Sequence, residues 1–154
     1  MATAHARTQS PPRAVEPRRQ VYLKLLGLPS ADLPTLLHRL ERGLPFSAVE
    51  QFQRHTALSM RDLASLIGVP ERTLARRRDV GRLQPDEADR LLRASRLFGQ
   101  ILALFEDDAE AARAWFVKPQ RAWDGATPLQ IARTELGARE VEHLIGRLEH
   151  GIPS

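Results

Sequence analysis

Residues 59–78 constrain this chain more than any other stretch, because they hold two short helical patterns with only Gly68, Val69 and Pro70 between them. In the first pattern Ser59 stands where a side-chain oxygen can cap a helix, Asp62 follows three residues on, and Leu63, Leu66 and Ile67 fall on one face. Gly68 permits a left-handed backbone, Val69 can plug the corner, and Pro70 suits a helix start, where its missing N–H has no partner to lose. The second pattern, Glu71 to Arg78, offers a single large apolar residue, Leu74, to hold it against the first.

Outward on the second helix stand Arg72, Thr73, Arg76, Arg77 and Arg78, a cationic, hydrogen-bonding face behind a tight turn. Such a pair is predicted to be a helix-turn-helix that reads DNA. The competing account is an ordinary helical hairpin with a solvated arginine face. Ala64 is small where the helices must cross, Gly68 sits four residues later, and Leu74 six beyond that; a merely soluble helix would also dilute its arginines with acidic residues. One position departs from the pattern. Three residues after Leu74 an apolar side chain is expected, and Arg77 is there, so either its stem snorkels over the bundle edge or the helix is short. In this reading Arg76, Arg77, Arg78 and Arg82 lie on phosphates, while Arg72 and Thr73 are placed for base edges. One such module binds weakly. Specific repression calls for a homodimer or a larger assembly on an inverted-repeat operator, with half-sites about one duplex turn apart.

The rest of the chain reads as all-α, because Leu, Ala, Arg and Glu dominate while aromatics make up only 5%. The net charge of +4 is compatible with nucleic acid but is weak evidence alone. The absence of cysteine removes disulfides and thiolate chemistry and fits a reducing cytoplasm. Residues 1–20 carry Pro11, Pro12, Pro17 and several arginines with no apolar run, which predicts a flexible basic arm rather than a secretory signal. The longest apolar stretch, Leu97 to Phe105, is too short to span a bilayer. A cytoplasmic protein with no membrane partner is expected.

After an apolar lead-in at Leu23, Leu25, Leu26 and Leu28, Leu33, Leu36, Leu37 and Leu40 mark a helix stopped by Gly43. Ser47 and Glu50 have capping-box spacing for a second, with Val49, Phe52 and His55 inward and Leu58 at its end. Beyond the turn motif, Pro85-Asp86-Glu87 opens a long helix carrying Leu91, Leu92, Leu97, Phe98, Ile101, Leu102 and Phe105. A short helix from Ala109 to Trp115 and a turn-rich stretch ending at Trp123 follow. Thr127-Pro128 caps a brief helix through Thr134 that Gly137 breaks, and Val141, Leu144, Ile145 and Leu148 face inward on a last helix ending at Gly151. The expected organisation is an arm over 1–20, a DNA-reading unit over 21–94 and a second helical unit over 95–154, hinged on the shared long helix.

No catalytic constellation stands out. The five histidines are scattered, no Gly-rich phosphate loop or nucleophile elbow occurs, and His38 with Glu41 and Glu140 with His143 read as solvated helix neighbours. No enzyme activity, cofactor or metal is expected. Trp115 and Trp123 fit the core of a small subdomain, although tryptophan is also enriched at interface hot spots.

Two texts together resemble a known family. The first is Leu63-Ala64 to Gly68-Val69 followed by Arg72-Thr73-Leu74-Ala75-Arg76-Arg77. The second is Trp115-Phe116 with Pro119, Trp123-Asp124-Gly125-Ala126-Thr127-Pro128-Leu129, Thr134-Glu135-Leu136-Gly137-Ala138, Val141, and Leu148-Glu149-His150-Gly151-Ile152. In this order they are similar to the Xre/MbcA/ParS antitoxins of type II toxin–antitoxin pairs, from about Leu33 onward. Trp123 departs, standing where the family more often has a smaller aliphatic residue. The resemblance implies an Xre-like helix-turn-helix bundle followed by a small toxin-binding domain, a RES-domain toxin that depletes NAD as partner, and repression of the chain's own operon. It also implies that the chain covers the toxin's active-site cleft. Toxin contact is expected from Trp115, Arg147, His150, Gly151, Ile152, Pro153 and Ser154, the last four as a plug in that cleft, because the last helix runs up to His150, Ile152 has no obvious partner within the chain and Pro153 stiffens the final step. A stand-alone helix-turn-helix regulator with a ligand- or protein-sensing C-terminal domain is the alternative, and a RES-like gene next door would separate the two.

Overall fold

A computed structural model describes residues 20–151. Its helices are α1 (Val21–Leu25), α2 (Leu33–Glu41), α3 (Ser47–Thr56), α4 (Met60–Ile67), α5 (Glu71–Val80), α6 (Pro85–Leu104), α7 (Ala109–Phe116), α8 (Pro128–Ile131) and α9 (Glu135–Glu149), with one 3-10 turn at Arg121–Trp123. No named strand occurs among the described residues, and Pro45 and Arg82 form an isolated antiparallel bridge. The chain is all-α. No helix in this range is long and apolar enough to cross a membrane.

Helix α6 is the axis of the fold. At 20 residues it is about 30 Å long, and α1, α2, α4, α7 and α9 all pack on it. Its sequence explains this, since Ala88, Leu91, Leu92, Ala94, Leu97, Phe98, Ile101 and Leu102 are all buried and cover more than one face. Ser95, also buried, donates its hydroxyl to the Tyr22 carbonyl at 2.7 Å and so fixes α1 along the axis. Three phenylalanines join the two ends of the chain. The ring of Phe52 on α3 lies 6.1 Å from Phe98, and Phe98 lies 6.0 Å from Phe116 on α7, both edge to face. The core therefore runs unbroken across positions 94 and 95.

Several local expectations are met. The Ser59 hydroxyl accepts from the Asp62 N–H at 3.1 Å, Gly68 is left-handed at φ 80°, and Ala64 and Leu74 are buried between α4 and α5. Others are not. Ser47 caps nothing, because the chain enters α3 one residue earlier, at Phe46, whose N–H is drawn to the Gly81 carbonyl at 2.9 Å. The brief helix ends at Ile131, and Gly137 breaks nothing. It sits in the first turn of α9, its N–H donating to the Thr134 hydroxyl, where any Cβ would lie 1.7 Å from the Ile131 carbonyl oxygen. His55 is exposed, and on α2 only Leu36 is buried while Leu33 and Leu37 face solvent.

Candidate nucleic-acid and partner-protein interfaces

Helix α5 is short of apolar residues, and its placement reflects this. Leu74 is its one buried side chain. The helix runs two residues beyond Arg78 to Val80 and closes on left-handed Gly81, so it is not curtailed at Arg77. At Arg77 an ion pair stands where a hydrophobic contact was expected. The Arg77 Nε and Nη2 donate to the two carboxylate oxygens of Glu87 at 2.7 and 3.1 Å. Glu87 is almost fully buried, with a side chain 3% exposed, and its Oε1 also accepts from the Gln84 N–H at 2.8 Å, at the start of α6. The Glu87 carboxylate raises the Arg77 pKa, so the guanidinium stays charged. The paired geometry and the extra backbone donor satisfy the buried carboxylate, as a buried charge requires.

This divides the six arginine and threonine positions assigned to DNA. Arg77 is held internally and serves to fix α5 to α6. Arg82 donates to the carbonyls of Gly43 at 2.8 Å and Arg42 at 3.2 Å, closing the C-terminus of α2. Arg78 rests its guanidinium 5.7 Å from the centre of the Phe46 ring, at the bundle edge. The candidates left facing outward without a scaffold contact are Arg72, Thr73 and Arg76, within the first six residues of α5. Arg72 and Arg76 are exposed, and Arg76 donates to the Thr73 hydroxyl at 3.2 Å, which holds both side chains on one face. Glu87 is the functional residue that the sequence reading missed. Its signal was the misplaced Arg77 together with an acidic residue in the next helix's first turn.

The C-terminal candidates fall into two groups. Trp115 lies on α7, half-buried, its ring 6.3 Å from Phe105 at the end of α6. Arg147, His150 and Gly151 gather instead on the last turn of α9, beside Leu148, which is partly exposed. His150 places Nδ1 2.6 Å from the Gly146 carbonyl, and Gly151 is left-handed at φ 66°. Ile152, Pro153 and Ser154 lie outside the described residues. The rest of α9 is anchored by Ala138, Val141, Leu144 and Ile145. Among the described residues no group of three or more His, Cys, Asp or Glu side chains is arranged to hold a metal.

Residues 35–96 match the Antitoxin Xre-like helix-turn-helix domain, and residues 102–151 match the Antitoxin Xre/MbcA/ParS C-terminal toxin-binding domain. "Antitoxin Xre" of Photorhabdus laumondii is 34% identical over 132 residues, covering 85% of this chain and 89% of that protein. The chain belongs to the Xre/MbcA/ParS antitoxin family. "Antitoxin Xre" of Yersinia enterocolitica is 31% identical over 128 residues, 82% of this chain and 86% of its own length. That of Pseudomonas putida is 35% identical over 86 residues, about half of each chain. The two family segments of this antitoxin meet inside α6, between residues 96 and 102, where Phe98 joins the rings of Phe52 and Phe116.

Proposed function

We propose that this antitoxin neutralises a RES-domain toxin that depletes NAD, by covering the toxin's active-site cleft with its C-terminal end, and that it represses its own operon through α5. The observation that carries the reading is the separation of two unlike surfaces on one core. Arg72, Thr73 and Arg76 form a cationic face on a helix held from behind by Leu74 and the Arg77–Glu87 pair, while Arg147, His150 and Gly151 stand together where α9 gives way to the tail. In this reading Arg76 contacts phosphate and Arg72 with Thr73 the base edges, so affinity falls with salt by about 0.9 log units per phosphate contact for each tenfold rise. Two copies reading an inverted repeat supply the specificity that one module lacks. The chain's part in all this is binding, not catalysis.

Gly151, Ile152, Pro153 and Ser154 form the plug in this reading. Burial of Ile152 contributes roughly 1.5–3 kcal/mol, which is about ten- to a hundredfold in affinity. The experiment is deletion of residues 151–154, followed by separate measurement of protection from the co-expressed toxin, complex formation and operator binding. The reading expects lost protection with operator binding intact. Full protection by the truncated chain would sink the plug and leave neutralisation to the Trp115 to Leu148 surface.

A further inference from the structure

Helix α2 leaves two large apolar side chains in solvent, Leu33 at 67% exposure and Leu37 at 48%, one turn apart. They border a groove of about 560 Å³ between α2 and α6, lined also by Tyr22, Leu36, Leu40 and Leu92. A lone exposed leucine needs no explanation, whereas a leucine ridge beside an apolar groove is the kind of patch that marks an interface.

The α6 side of the same groove carries Asp89 and Arg96. Seven residues apart, they share a helix face two turns, or about 10 Å, apart. Among the described residues neither has an ion-pair partner, although the intervening Arg90 and Arg93 are paired with Asp86 and Glu135. Opposite charges set out in this way along one helix are complementary to themselves. A second copy related by a two-fold axis across the groove brings its Arg96 opposite Asp89 and its Asp89 opposite Arg96, and lays its leucine ridge into the groove of the first. A partner of uniform charge would meet one of the two residues with like charge.

We propose that the groove between α2 and α6 is the self-association surface of this chain and that its occupant is a second copy. The proposal rests on the dimeric reading above in naming that occupant, but its test needs no DNA. Leu33, Leu37, Asp89 and Arg96 are all surface residues, so their replacement leaves the fold intact, which circular dichroism and melting will confirm. Sedimentation equilibrium of the full chain is expected to show a dimer that becomes monomeric in Leu33→Asp with Leu37→Asp. Asp89→Arg or Arg96→Asp alone weakens dimerisation by at least about tenfold. The double exchange, Asp89→Arg with Arg96→Asp, restores it, because the two-fold pairs are rebuilt with reversed sign. A monomeric wild-type chain, a dimer indifferent to these changes, or a double exchange no better than the single ones overturns the proposal. So does loss of toxin binding, without loss of self-association, in the leucine variant, since the toxin is then the occupant. A dimer through this groove that binds no DNA contradicts the proposed function and leaves the surface standing.

Discussion

Helices α5 and α9 are both tied to the same core, by opposite means. Helix α9 is attached through an apolar stripe, Ala138, Val141, Leu144 and Ile145, and leaves its outer face and its last turn exposed. Helix α5 buries Leu74 alone and takes its second attachment from the Arg77–Glu87 ion pair. A helix that must offer a cationic face has little room for a hydrophobic stripe, so a buried carboxylate on the neighbouring helix does part of that work. The difference teaches that arginine count overstates the DNA-facing charge: Arg77 and Arg82 are spent on the scaffold.

The largest expected effect tests the single anchor. Leu74→Ala should cost about 2–5 kcal/mol, with hydrogen exchange accelerated in α5 and little changed in α9. Val141→Ala, one of four anchors, should cost about 1.5–3 kcal/mol. Equal loss of protection in both helices from Leu74→Ala would break the comparison.

The ion pair comes next. Arg77→Ala strands a buried carboxylate and should lower the melting temperature clearly, whereas Arg77→Met together with Glu87→Met should recover most of the loss, since removing both charges removes the desolvation cost. Should the double variant melt no higher than the single one, the pair is not the tie described.

Glycines on α9 predict opposite signs. Gly137→Ala drives a methyl into the Ile131 carbonyl and should destabilise by about 1–3 kcal/mol. Gly146→Ala meets nothing within 4 Å and should stabilise by about 0.5–1 kcal/mol through helix propensity. Chemical denaturation of the two variants decides this, and a shared sign contradicts the account of the α8–α9 junction.

The smallest effect is at the start of α2. The Thr35 side chain and its backbone N–H, the latter at 2.9 Å, hold the Asp32 carboxyl below its ordinary value of 3.8. A depressed carboxyl stabilises the fold above that ordinary value and loses the contribution as pH falls below it. Acid titration followed by exchange in α2 should show the loosening in the wild type and not in Asp32→Ala.

What was legible in the sequence was what is local. Ser59, Gly68 and Leu74 declare a cap, a turn and an anchor within 16 residues, and the structure places each as expected. Arg77 looked anomalous because its partner, Glu87, belongs to another helix, and no spacing rule links a misplaced cation to a carboxylate in the next first turn. Ser47 had capping spacing but lost the role to Phe46, which a tertiary hydrogen bond to Gly81 draws into the cap. Gly137 reads as a breaker from propensity alone. Only the close approach of the Ile131 carbonyl shows it to be a packing requirement. Leu33 and Leu37 fit the helical period and still face out, because periodicity cannot say whether a stripe is covered by this chain or by another.

The central claim is that operator reading and toxin neutralisation occupy separate ends of one core, with the outward half of α5 serving the first. The direct measurement is a gel shift on operator DNA beside a growth-rescue assay with the toxin, both made on Arg72→Ala with Arg76→Ala. Neither residue supports the core, so the melting temperature should hold, operator binding should be lost and rescue should remain complete. Operator binding retained in this variant, or rescue lost along with it in a normally folded protein, contradicts the account.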